Sequence, residues 1–60
     1  MKTKTILKND NYSLVYDADS FSYTILKNVY YQGGGIAFKQ QVCKWYTYYK
    51  PCLKLFNNLN

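Results

Sequence analysis

The chain is 60 residues long, with eight Lys, three Asp, two Cys and no Arg, His or Glu, for a formal net charge of +5. A chain of this length makes one small domain, residues 1–60, that buries only about 60% of its unfolded surface, so a second copy or another partner is expected to supplement its core. The missing His and Glu remove most of the acid–base and metal-ligating repertoire. Two cysteines cannot complete a four-ligand zinc site, neither has an imidazole to activate it, and Asp10, Asp17 and Asp19 sit among turn residues, so no catalytic, cofactor or metal site is expected.

Residues 2–8, KTKTILK, are rich in Thr and Ile and read as a strand that ends at the turn cluster NDN, residues 9–11. YSLVY (12–16) and FSYTIL (21–26) are β-branched and aromatic, and DADS (17–20) between them has the composition of a four-residue hairpin loop. In the third strand Phe21, Tyr23 and Ile25 share one face while Ser22 and Thr24 share the other, the pattern of an antiparallel strand with one wet side. VYY (29–31) supplies a short fourth strand, giving a β-meander of three or four strands over about residues 2–31.

The only glycines, Gly33, Gly34 and Gly35, fit neither GxxxxGK[ST] nor GxGxxG in a βαβ unit. They read as a turn at residues 33–35 that carries the chain from strand to helix. Beyond them Phe38, Val42, Trp45, Tyr49, Cys52, Phe56 and Leu59 are spaced 4, 3, 4, 3, 4 and 3 residues apart, a heptad seam, with Lys39, Lys44, Lys50 and Lys54 all off it. The spacing predicts a helical segment over about residues 36–59, kinked or broken near Pro51, which fits best at the start of a second helix. In an unbroken helix Cys43 and Cys52 would stand about 13 Å apart along the axis, so two free thiols are expected unless the chain turns sharply between them.

The fold class read from these elements is α+β, an antiparallel meander followed by a C-terminal amphipathic helix. Val42, Trp45, Tyr49, Phe56 and Leu59 are expected to pack against Leu14, Phe21, Tyr23 and Ile25, or to form the seam of an isologous homodimer.

No apolar segment follows the basic start at Met1 and no unbroken apolar run exceeds three residues, so neither a secretory signal nor a membrane span is expected, and the cytoplasm is the expected compartment. The charge favours an acidic partner, but the lysines are scattered at positions 2, 4, 8, 27, 39, 44, 50 and 54 and form no dense arm for nucleic acid. Eight Tyr and one Trp are the stronger signal. Interleaved with Lys, as in CKWYTYYK (43–50), they suit a protein-binding hot spot, with Tyr30, Tyr31, Tyr46 and Tyr48 as anchors and Lys39, Lys44 and Lys50 around them.

Abundant Asn, Lys, Ile, Tyr and Phe have AT-rich codons, which points to a low-GC genome. These features together lead to the expectation of a non-enzymatic accessory protein of a phage or mobile element that binds and inhibits a host protein, either a defence factor or a nucleic-acid-processing one. The alternative is a small basic protein that holds single-stranded nucleic acid by stacking on Tyr and contacting phosphate with Lys. The lack of Arg counts against base-specific readout. A membrane-surface helix is disfavoured by the Tyr and Cys on the seam and by the strand-like first half.

Overall fold

The computed structural model describes residues 2–59; Met1 and Asn60, counted in the single domain expected from the sequence, lie outside them. The strands β1 (Thr3–Lys8), β2 (Tyr12–Asp17), β3 (Ser22–Tyr30) and β4 (Ile36–Gln41) pair in the order β1-β2-β3-β4, and the helix α1 (Tyr49–Asn58) follows them. All three pairings are antiparallel. The fold is thus the α+β meander with a C-terminal helix that the sequence predicts, but Val29 and Tyr30 complete β3 and form no separate strand, and the fourth strand lies beyond residue 31, at Ile36–Gln41.

Local polar chemistry sets the two turns in the first half. The Asn9 side-chain oxygen accepts from the Asn11 and Tyr12 N–H groups, at 2.8 Å each, which closes the β1–β2 turn. At the β2–β3 turn, Asp17 accepts from the Asp19 N–H at 3.0 Å and from the Ser20 hydroxyl at 3.1 Å. Phe21 ends that loop with φ 54 and its ring 72% exposed, so it leaves the core face assigned to it from the sequence. The hairpin needs a left-handed residue there, and a bulky side chain in that region is strained.

The helix follows from the chain around Pro51. Tyr48 is extended at the N-cap (φ −112, ψ 146), and Pro51 lies in the first helical turn, where its missing N–H would have had no intrahelical acceptor. The expected break near Pro51 is therefore a helix start. α1 lays Cys52 and Phe56 on Leu14 and Ile25, which face each other across β2 and β3. Tyr12, Tyr23, Cys43, Tyr46, Tyr49 and Leu59 pack around this cluster. Tyr23 links the ring of Tyr16 at 4.9 Å to that of Tyr49 at 5.5 Å, so an aromatic run underlies the helix N-terminus.

The segment expected to be helical from residue 36 is instead a strand as far as Gln41. The glycines close a β3–β4 hairpin and not a strand-to-helix corner: the Tyr31 N–H donates to Gly35 O at 2.9 Å, and Gly34 and Gly35 have φ of 100 and 78. Phe38, Val42 and Trp45 are consequently 56%, 40% and 45% exposed, and only the second half of the heptad seam is a packed helix face. Long-range pairing with the nine residues of β3 decides this segment against its local periodicity.

After β4 the chain bulges and returns to the sheet at Tyr46, which exchanges both backbone hydrogen bonds with Tyr23 at 2.7 Å. The buried Thr24 hydroxyl holds the bulge, lying 3.3 Å from Cys43 O and 3.4 Å from Lys44 O, and Gln41 Nε2 donates to Cys43 O at 2.8 Å.

Two stability measurements test this packing. In urea denaturation, Phe56→Ala should cost about 3–5 kcal/mol, whereas Val42→Ala should cost less than about 1 kcal/mol, the reverse of what a continuous seam would give. Phe21→Gly should stabilise the protein by about 1 kcal/mol, because it relieves a left-handed residue without uncovering any core.

Candidate partner-binding surface

The sheet has one covered face and one partly open face. Alternation along β2 and β3 puts Tyr12, Leu14, Tyr16, Tyr23 and Ile25 under the helix, and Ser13, Val15, Thr24, Leu26 and Asn28 on the other side. Among the described residues no helix lies on that second face, yet Ser13, Val15 and Thr24 are buried there, Thr24 against the 43–44 backbone, so it is open only in part, around Lys8, Asn28 and Lys39.

Both edges of the sheet are also unpaired, and they differ in character. Both strands carry a register shift, β1 between Thr5 and Leu7 and β4 at Ala37, but β1 has two lysines, Lys4 and Lys8, which discourage further pairing. β4, IAFKQQ, carries only Lys39, with Ile36 50% exposed and Phe38 56% exposed. The Asn28 N–H donates to Asn11 O, on the β2 side, and the Val42 N–H donates to Ile25 O. Strand alternation then turns Phe38 and Gln40 inward to β3 and leaves the backbone N–H and C=O of Lys39 and Gln41 facing outward. Beside this edge Tyr30 and Tyr31 are 48% and 64% exposed.

The structure divides the aromatic and lysine set proposed from the sequence into two groups. Tyr30, Tyr31 and Lys39 lie at the glycine hairpin. Lys44, Tyr46, Tyr48 and Lys50 lie at the start of α1, where Lys44 Nζ sits 5.4 Å from the Tyr46 ring centroid. Tyr46 pairs with Tyr23, seven residues before Tyr30 along β3, which separates the two groups by about 23 Å at the usual strand rise. Tyr46 is also half-buried against the core, while Tyr48 is 74% exposed. Of the proposed dimer seam, Phe56 is buried and Tyr49 and Leu59 pack within the same chain; Val42 and Trp45 are exposed on the bulge. Sequence reasoning missed Ile36 and Phe38 as surface residues. Their one-residue spacing directly after a glycine turn was the available strand signal.

On the open face, two adjoining depressions of about 350 and about 440 Å³ share Lys8, Ser13 and Lys39. Asn28 and Tyr30 line the second, and the Tyr30 hydroxyl is tied to Asp10 O at 2.6 Å. Asn28 Oδ1 is buried without a hydrogen-bond partner.

Among the described residues no group of His, Cys, Asp and Glu is placed to hold a metal ion, and no helix is long and apolar enough to cross a membrane. Cys43 and Cys52 are free thiols brought together by the turn before Pro51. Burial, and then the neighbouring Cys43 thiol, pushes Cys52 from 9.0 up to about 11. Comparison with protein-family models, curated proteins and solved structures finds no match to this chain, so the functional argument rests on its own geometry.

The thiol pair gives a direct check on the packing. Iodoacetamide on the folded protein should label the partly exposed Cys43 and spare Cys52 until denaturant is added. The unfolded chain releases the Cys52 proton first as pH climbs, so the stability advantage over Cys52→Ala should be complete below pH 9.0 and shrink towards pH 11.

Proposed function

We propose that the protein is a non-enzymatic binding module that captures a partner protein along β4. The supporting observation is the free backbone edge of Lys39 and Gln41, flanked by exposed Ile36, Phe38, Tyr30 and Tyr31. A chain whose buried apolar residues are Leu14, Val15, Ile25, Cys52 and Phe56 leaves that much apolar surface open at a cost, unless another molecule covers it. Strand addition suits such an edge: main-chain hydrogen bonds give affinity, and the alternating side chains give selectivity.

The effect on the partner is occlusion. A 7.1 kDa body fixed to an edge or a groove blocks whatever normally binds there, which is how a small accessory protein of a phage or mobile element would inhibit a host defence or nucleic-acid-processing factor. Without that partner, two copies are expected to pair through antiparallel β4 edges as an isologous homodimer.

Capture from a low-GC bacterial lysate on the immobilised protein should return a defined host protein. That protein should be lost with Ile36→Asp and with Phe38→Asp, and kept with Tyr48→Asp at the distant end. Recovery unchanged by the β4 substitutions, or recovery of nucleic acid alone, would overturn the reading. Light scattering on the free chain should give twice 7.1 kDa for the wild type and a monomer for Phe38→Asp.

A further inference from the structure

The second face of the sheet carries a feature that strand addition at β4 touches only at its margin, through Tyr30, Ile36 and Lys39. Lys8 on β1 and Lys39 on β4 both line the two adjoining depressions, although β2 and β3 lie between their strands. Register puts Lys8 opposite Ser13 and Lys39 opposite Asn28, so the two lysines stand at opposite rims of one recess with a polar floor. Neither lysine forms an ion pair with a carboxylate among the described residues, although Asp10 lines one margin of the larger depression. Two exposed lysines at one recess without a counter-ion make a place for an anion, since both can reach a charge held between them.

Two further observations narrow the anion. Asn28 lines the larger depression and its Oδ1 is buried with no donor, so by turning its amide toward a ligand hydroxyl or amino group beside the negative charge it gains the bond it lacks. Tyr30 and Ile36 form an aromatic and aliphatic wall, with the Tyr30 ring held by its hydroxyl bond to Asp10 O at 2.6 Å. The depressions, at about 350 and about 440 Å³, are of the size that holds a small organic ligand. A bare inorganic anion would leave both the wall and the Asn28 oxygen unused.

We propose that the Lys8–Lys39 recess on the open sheet face binds the phosphate of a nucleotide, with Asn28 Oδ1 accepting from a sugar hydroxyl or base amino group and Tyr30 flanking the ring. The nucleotide is either a free molecule or one unit of a single strand, and the chemistry at the recess is the same for both.

Backbone amide chemical shifts titrated with adenosine 5′-monophosphate, and separately with a 12-residue oligothymidylate, test the proposal. Saturable shifts should centre on Lys8, Ser13, Asn28 and Lys39. Saturation by the mononucleotide identifies a free ligand, and saturation by the oligonucleotide alone identifies a strand. Lys8→Gln and Lys39→Gln should each weaken binding roughly tenfold, while Lys54→Gln on the exposed face of α1 should leave it unchanged. Lysines of this exposure are not needed for folding, so these variants report on the site. Asn28→Ala, made alongside them, should weaken the nucleotide but not inorganic phosphate. The proposal is overturned if neither probe saturates at millimolar concentration, if shifts spread equally over all lysines, or if inorganic sulfate or a phosphoserine peptide binds as tightly as the nucleotide.

Discussion

The contact of Cys52 and Phe56 with Leu14 and Ile25 is the interaction on which the rest of the structure depends. It is the one place where two layers meet, and it joins the last helix to the middle hairpin of the sheet. Because it lies over β2 and β3, the helix has no surface left for the outer strands. Its smallness has a physical origin in chain length: ten helical residues shield only about two strands' width. What remains uncovered, both edges and part of the second face, is a geometric consequence of that single docking event.

That consequence connects fold to function. The segment from Val42 to Tyr48 must reach from the far edge of the sheet to the start of the helix, and it does so as a bulge held by Thr24, Gln41 and the Tyr23–Tyr46 backbone pair. The bulge ends β4 as a pairing partner of β3 and leaves a short, mostly uncharged edge whose outer hydrogen-bonding groups at Lys39 and Gln41 point away from β3. β1, with its irregular register and its lysines, is protected by the same measures that natural sheets use against unwanted pairing. The two edges of one small sheet thus differ in charge, and that difference is what supports the proposal of strand addition at β4. The recess on the second face, polar on its floor and lined by Lys8 and Lys39, meets the β4 edge at Tyr30, Ile36 and Lys39, so the two proposed surfaces adjoin.

Much of this was legible in the sequence, and the exceptions have specific causes. The alternation in YSLVY and FSYTIL, and the Asn and Asp of the two turns, report local interactions that survive intact in the fold. Phe56, Tyr49 and Cys52 were readable as a helical face because the helix does form there. The segment from Ile36 to Gln41 was misread because Ala, Lys and Gln are good helix formers and because Phe38 and Val42 fall on a heptad by spacing alone. The local strand signal is only Ile36 and Phe38 after the glycine turn, and pairing with residues 26–30 of β3 decides the segment. Phe21 was placed in the core by alternation, which does not register that the loop needs a left-handed residue at its last position. The proposed surface was legible as residue types and not as a place, since Tyr30 and Tyr46 belong to opposite ends of β3. Lys8, Ser13 and Asn28 give no motif at all, and only register brings them together.

The central claim is that residues 36–41 form an edge strand, paired on one side and free on the other. Amide hydrogen exchange of the isolated protein, made monomeric by dilution and resolved residue by residue, measures this directly. The account predicts alternation: slow exchange at Phe38, Gln40 and Val42, whose N–H groups point to β3, and fast exchange at Lys39 and Gln41, whose N–H groups point to solvent. Uniform protection through 38–42 in the monomer, as a helix would give, or uniform rapid exchange, as an unpaired loop would give, would contradict it.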